Sequence, residues 1–81
     1  MAQHLSQTIG YAVRDLRLQA GYTQEAFADK CGFFRTYLSR LETGKANPTI
    51  NAVEVLAAAL NISAARLVAI AEGYGSIVPE A

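Results

Sequence analysis

The sequence predicts an all-α fold, a compact domain of five short helices, on three observations. Apolar residues recur at three- and four-residue spacing in each segment long enough to be a regular element, and no segment reads convincingly as a strand. Threonine or serine stands just ahead of three of these segments, and glycine or asparagine stands just behind them, as at helix starts and stops. Finally, 52% of the 81 residues are apolar while only six are glycine and two are proline, the composition of an ordered globular chain.

The first helix is expected over residues 6–19, where Ile9, Val13, Leu16 and Ala20 follow one another up to Gly21. Thr23 suits the N-cap of the second, which has Glu25 in its first turn. Tyr22 and Phe27 take the two positions of a hydrophobic staple, and the helix reaches about Cys31 before Gly32 stops it. The third starts near Phe34 and ends at Gly44, and Lys45-Ala46-Asn47-Pro48 reads as a loop. Thr49 caps the fourth, with Ile50, Val53, Leu56 and Leu60 on one face and Asn61 at its end. Ser63 caps the fifth, stapled by Ile62 and Leu67, and its apolar face continues through Ile70 until Gly73. Two glycines and a proline keep the tail from Gly73 to Ala81 from continuing as helix. Tyr74, Ile77 and Val78 in that tail are apolar enough to pack on the same chain or on a partner chain.

Residues 1–81 are expected to form one domain, burying about 60 to 65% of the surface that the unfolded chain exposes. A single cysteine, Cys31, cannot make an internal disulfide, and no stretch near the N-terminus has the pattern of a signal peptide. The longest apolar run, Val55 to Leu60, is far shorter than the 18 or so residues of a membrane span. The expectation is a cytoplasmic protein with no membrane partner. His4 stands alone, Cys31 lies at an apolar helix end, and no base, metal-ligand cluster or phosphate loop accompanies them. An enzyme is therefore not expected, nor a metal, a cofactor or a small-molecule ligand.

The formal net charge is zero, but it is unevenly distributed. Residues 30–47 hold Lys30, Arg35, Arg40 and Lys45 against Glu42 alone, a net +3, while the flanking segments come to −1 and −2. Basic charge concentrated in one segment is what binding to phosphate requires, although a solvated helix face has the same composition.

Only a few residues around Gly32 separate the second and third helices, so the chain must turn a sharp corner with small residues at the close approach. Counting Gln24 as the first position, Ala28 is fifth, Gly32 ninth, Leu38 fifteenth and Leu41 eighteenth. With "TQE", "LE-x-GK" and the Pro48 loop, these positions resemble the helix-turn-helix of the phage-repressor-like family (Cro/C1 type, lambda repressor-like) of bacterial and phage regulators. The motif itself covers about residues 23–44, and the similarity runs from about residue 9 to 70.

At about 100° per residue, Phe34, Leu38 and Leu41 gather on one side of the third helix, while Arg35, Thr36, Ser39, Arg40 and Thr43 gather on the other. The resemblance implies that this helix enters the major groove of double-stranded DNA, with Arg35, Thr36, Ser39 and Arg40 reading base edges. It implies phosphate contacts for Gln24, Tyr37, Thr43, Lys45 and Asn47, although Tyr37 also reads as a half-buried rim residue. Arg17 and Glu42 match positions that form a structural ion pair in the family. Dimerisation would use the C-terminal region, about residues 62–81, with Leu67, Val68, Ile70, Tyr74 and Ile77 as candidates. Phe33 falls at an apolar position in the turn. Phe34 replaces a polar cap, and must either pack beneath the helix or lie against sugar and thymine methyl at the groove edge. The function implied is a homodimeric, sequence-specific transcriptional regulator on a palindromic operator, a small stand-alone repressor or, from "RTYLS", a restriction-modification controller-like protein. The alternative is a protein-interaction module or antitoxin that keeps the fold with little DNA specificity.

Overall fold

The structure, a computed structural model, describes residues 2–75, so Ile77 and Val78 lie outside the described residues. Five helices follow one another: α1 (Ala2–Gln19), α2 (Gln24–Cys31), α3 (Arg35–Glu42), α4 (Ile50–Ala59) and α5 (Ala64–Gly75). Two boundaries extend beyond the sequence reading. α1 begins four residues early because nothing before Ser6 breaks a helix, and Ala2, Gln3 and Leu5 are good helix formers. α5 passes through Gly73 to Gly75, since a single glycine weakens a helix without ending it.

Local chemistry accounts for the other ends. The Ala26 amide donates to the Thr23 hydroxyl at 3.1 Å, the Ala52 amide to Thr49 at 3.0 Å and the Arg66 amide to Ser63 at 3.0 Å. Each satisfies an amide that has no partner within its helix. Gly32 leaves α2 in the left-handed region at φ 75°, letting the Phe33 amide reach back to the Ala28 carbonyl at 2.9 Å. The Tyr22 and Phe27 rings lie 5.6 Å apart across the start of α2.

α3 starts beside Phe34 as expected and ends short of Gly44. Phe34 is its N-cap, with φ −68° and ψ 141° and no side-chain hydrogen bond, and Thr43 already lies outside the helix. The chain then turns at Gly44, where the Lys45 amide donates to the Arg40 carbonyl at 2.8 Å.

The core joins Ile9 and Val13 of α1, Phe27 and Ala28 of α2, Leu38 and Leu41 of α3, Val53 and Leu56 of α4, and Leu67 and Ala71 of α5. α1 packs against both α3 and α5 and so forms the backbone of the assembly. Gly10 lies where α1 meets the end of α3 so closely that a Cβ there would sit 1.7 Å from the Leu41 carbonyl oxygen.

Four side chains depart from their expected places. Ala20 is exposed in the turn that closes α1, beyond the reach of the core. Ile50, the first residue of α4, is 78% exposed because the apolar face of that helix is carried by Val53 and Leu56. Phe34 is 86% exposed, so of the two places open to it, packing beneath the helix with Leu38 and Leu41 is the one not taken. Leu67 is fully buried within its own chain, which removes it as a contact for a partner subunit. Val68, Ile70 and Tyr74 pack against the same core and remain half-buried.

Tyr74 also ties the last turns of α5 to α1 by donating its phenol hydrogen to an Asp15 carboxylate oxygen. That bond, and then burial, push the phenol up to about 12 from 10.0. A raised folded-state value stabilises the fold fully below the ordinary phenol range and ceases to do so as pH rises through about 12, so the tie is intact at neutral pH. Among the described residues, no single helix is long and apolar enough to cross a membrane, and no cluster of His, Cys, Asp and Glu could hold a metal ion.

Candidate nucleic-acid interface

α3 is sharply two-sided. Leu38, Leu41 and Glu42 are buried, whereas Arg35, Thr36, Arg40 and Thr43 are exposed and Ser39 is half-exposed. The helix's one carboxylate is therefore turned inward. The exposed face carries two guanidinium groups and no opposing charge of its own.

Glu42 is held by Arg17, whose Nε and Nη2 donate to Oε2 and Oε1 at 2.7 and 2.9 Å. The third donor of the fork, Nη1, reaches the Tyr22 carbonyl at 2.8 Å. The two side chains are 7% and 1% exposed, so this is a buried, two-pronged pair with its hydrogen bonds satisfied. It fastens α3 to the end of α1 and to the turn before α2.

Gln24 extends the network outward. Its amide nitrogen donates to Glu42 Oε1 at 3.1 Å, and its amide oxygen accepts from Arg35 Nη1 at 3.3 Å. A continuous line thus runs from buried Arg17 through Glu42 and Gln24 to exposed Arg35. The sequence reading placed Gln24 at the start of α2 but missed these two hydrogen bonds. Its signal was an amide, able to donate and accept at once, set between a carboxylate and an arginine.

The other candidate residues fall around this centre. Arg40 Nη2 donates to the Lys45 carbonyl at 3.0 Å, which folds the guanidinium over the turn after α3. The Thr43 hydroxyl donates back to the Ser39 carbonyl at 2.9 Å. Tyr37 packs edge-on against Phe33, with centroids 5.2 Å apart and planes at 89°, and its ring lies half-buried against the core. Lys45 and Asn47 are exposed in the loop before α4. Cys31 is half-buried, and burial pushes its thiol up from 9.0, so it is not primed as a nucleophile.

Two helices joined by a left-handed glycine turn, the second presenting an arginine-bearing face, define the class: a helix-turn-helix protein. The helix-turn-helix family model HTH_3 matches residues 13–67. The chain belongs to that family, the Cro/C1-type transcriptional regulators, whose members are regulators and not enzymes.

Two relatives and one solved structure give the scale of the similarity. The chain is 39% identical over 64 residues to the uncharacterized HTH-type transcriptional regulator y4dJ of Sinorhizobium fredii, covering 79% of this chain and 83% of that protein. It is 37% identical over 65 residues to the Neisseria hypothetical transcription factor of Neisseria meningitidis, covering 80% of this chain but only 61% of that relative's length. The crystal structure of the restriction-modification controller protein C.AhdI from Aeromonas hydrophila is similar at a TM-score of 0.72 and 33% identity, over 75% of this chain and 92% of that one.

Proposed function

We propose that this regulator acts as a homodimer in the cytoplasm, residues 1–81 forming one domain that occupies a palindromic operator through the major groove. The observation that carries the reading is the outward face of α3, which holds Arg35 and Arg40 with no carboxylate beside them. Arg35 presents a planar fork suited to guanine O6 and N7, and Gln24 braces it. Thr36 and Ser39 supply short side chains beside it. Arg40 joins them by exchanging the Lys45 carbonyl for a base edge. Gln24, Tyr37, Thr43, Lys45 and Asn47 flank this set as phosphate contacts, which fix register without reading sequence. The likeness to a restriction-modification controller protein supports a small regulator of that kind.

One recognition helix spans only a few base pairs, so a palindrome needs two copies whose α3 helices lie about 34 Å apart, one turn of the duplex. Val68, Ile70 and Tyr74 on α5, with Ile77, are the proposed contacts. Sedimentation of the free protein should show a dimer at tens of micromolar concentration. A monomer that binds a half-site as tightly as the full palindrome would remove this part of the reading.

Sites selected from random duplex DNA provide the test of base reading. On the best site, Arg35→Ala should cost about 1 to 3 kcal/mol, and much less on a scrambled duplex. Lys45→Ala should weaken both by similar amounts and flatten the plot of log affinity against log salt by about 0.9. Equal losses on both duplexes for Arg35→Ala, with the salt behaviour of Lys45→Ala, would make Arg35 a phosphate clamp and end the claim for this face.

A further inference from the structure

Among the described residues, the most exposed large apolar side chain is Phe34, at 86%, and it sits next to the arginine on which the proposed function rests. Its position is costly to the fold. The N-cap of a helix is where serine, threonine, aspartate or asparagine accepts a hydrogen bond from the first turn, as Thr23, Thr49 and Ser63 do elsewhere in this chain. Phe34 has the backbone angles of a cap, φ −68° and ψ 141°, without the acceptor. No packing compensates for this loss, because the neighbouring Phe33 already fills the turn and stacks edge-on against Tyr37. Among the described helix starts of α2 to α5, only that of the proposed reading helix has an apolar side chain in the cap position.

We infer that Phe34 is a specificity-determining residue whose ring packs on a thymine C5-methyl group at the edge of the site read by Arg35. The inference rests on the DNA-reading role proposed for α3. A phenyl ring can neither donate nor accept a strong hydrogen bond, so on the major-groove floor it discriminates by apolar contact. The thymine methyl is the apolar group that the groove offers there, and cytosine lacks it. Sugar carbons would accept the ring on any sequence and would contribute no selectivity. Phe34 stands at the N-cap, one position ahead of Arg35 and beyond the first helical turn of α3, which puts it on the outer side of Arg35. Thymine is therefore expected just outside the guanine that Arg35 reads.

Deoxyuridine has the pairing of thymidine without the methyl, so it removes only the proposed contact. Each thymidine of the selected palindrome is replaced in turn, and binding is measured for the wild type, Phe34→Ala and Phe34→Ser. Wild type should lose about fourfold per half-site at one position, the value of one buried methyl group, and be unchanged at the others. Phe34→Ala should bind the parent site more weakly by at least that factor and show no further loss on the deoxyuridine duplex. Phe34→Ser should bind as weakly as Phe34→Ala, yet melt about 4 to 8 °C higher than wild type because α3 regains a cap. A purely structural role would move affinity and melting in the same direction.

Wild type insensitive to deoxyuridine at every position, or Phe34→Ala with the wild-type deoxyuridine penalty, would overturn the inference while leaving the role of Arg35 intact. A Phe34→Ala variant whose oligomeric state changes while its deoxyuridine penalty stays at the wild-type value would likewise overturn it, and would assign the ring to a protein contact. Failure of the wild type to select any duplex from random DNA would overturn both this inference and the reading of α3.

Discussion

Gly10→Ala should cost the fold more than about 3 kcal/mol, beyond the usual range for an added methyl group in a packed interior. The reason is that the new Cβ would have to stand 1.7 Å from a backbone oxygen, that of Leu41. A flexible side chain could rotate aside, but a helix carbonyl cannot, so α1 and α3 must separate. The same carbonyl accepts the Gly44 amide at 3.1 Å and closes the end of α3. Separation would therefore loosen the turn, the packing of Leu38 and Leu41, and the hold on Arg40 together. A domain of this size has about 4 to 12 kcal/mol of stability, so much of it is lost. Gly73→Ala serves as the control, since nothing lies within 4 Å of the added Cβ and α5 is helical there. It should raise stability by about 0.5 to 1 kcal/mol. Thermal melting followed by circular dichroism measures both; a Gly10→Ala chain melting within about 2 °C of wild type would mean that α1 and α3 are not in contact as described.

Breaking the buried pair should be nearly as damaging, and its two halves should differ. Removing one partner of such a pair costs about 3 to 5 kcal/mol because the other charge is left buried and uncompensated. Glu42→Ala leaves the Arg17 guanidinium with only the Tyr22 carbonyl, and arginine cannot shed its proton. Arg17→Ala leaves Glu42 with the Gln24 amide, and a carboxylate can take up a proton and become neutral. Glu42→Ala should therefore be the worse of the two. Chemical denaturation of both variants gives the comparison; unchanged midpoints in both would show that the pair does not fasten α3.

What the sequence made legible is what nearby residues decide. Thr23, Thr49 and Ser63 act within three residues of themselves, so their caps could be read directly, and Gly32 reports its own backbone conformation. The spacing of Val53, Leu56, Leu38 and Leu41 located the core faces for the same reason. Ile50 and Phe34 satisfied the same periodicity yet lie exposed, because a helix's first residues project past the elements that cover its middle. Leu67 reads from the sequence both as part of the apolar face of the fifth helix and as a subunit contact, and only the packing of α5 on α1 and α4 decides that its side chain faces inward. Arg40 bonds the carbonyl of a turn, and Gln24 links residues 11 and 18 positions away, so both depend on the completed tertiary arrangement. The candidate DNA-facing residues were accordingly identifiable by type and face, while the bonds that brace them were not.

α2 and α3 have eight residues each. Helices shorter than about 12 to 15 residues barely persist alone in water, so α3 exists only while α1 and α2 hold it. No partly melted chain can retain a working α3, because the element that would touch the duplex is dismantled as soon as its supports leave. On the proposed reading, a copy that loses its fold would therefore release DNA at the same moment and would not linger there as an inert obstruction to intact copies. On the same reading, bound DNA would favour the folded state by mass action, so occupancy would protect the copies in use from unfolding.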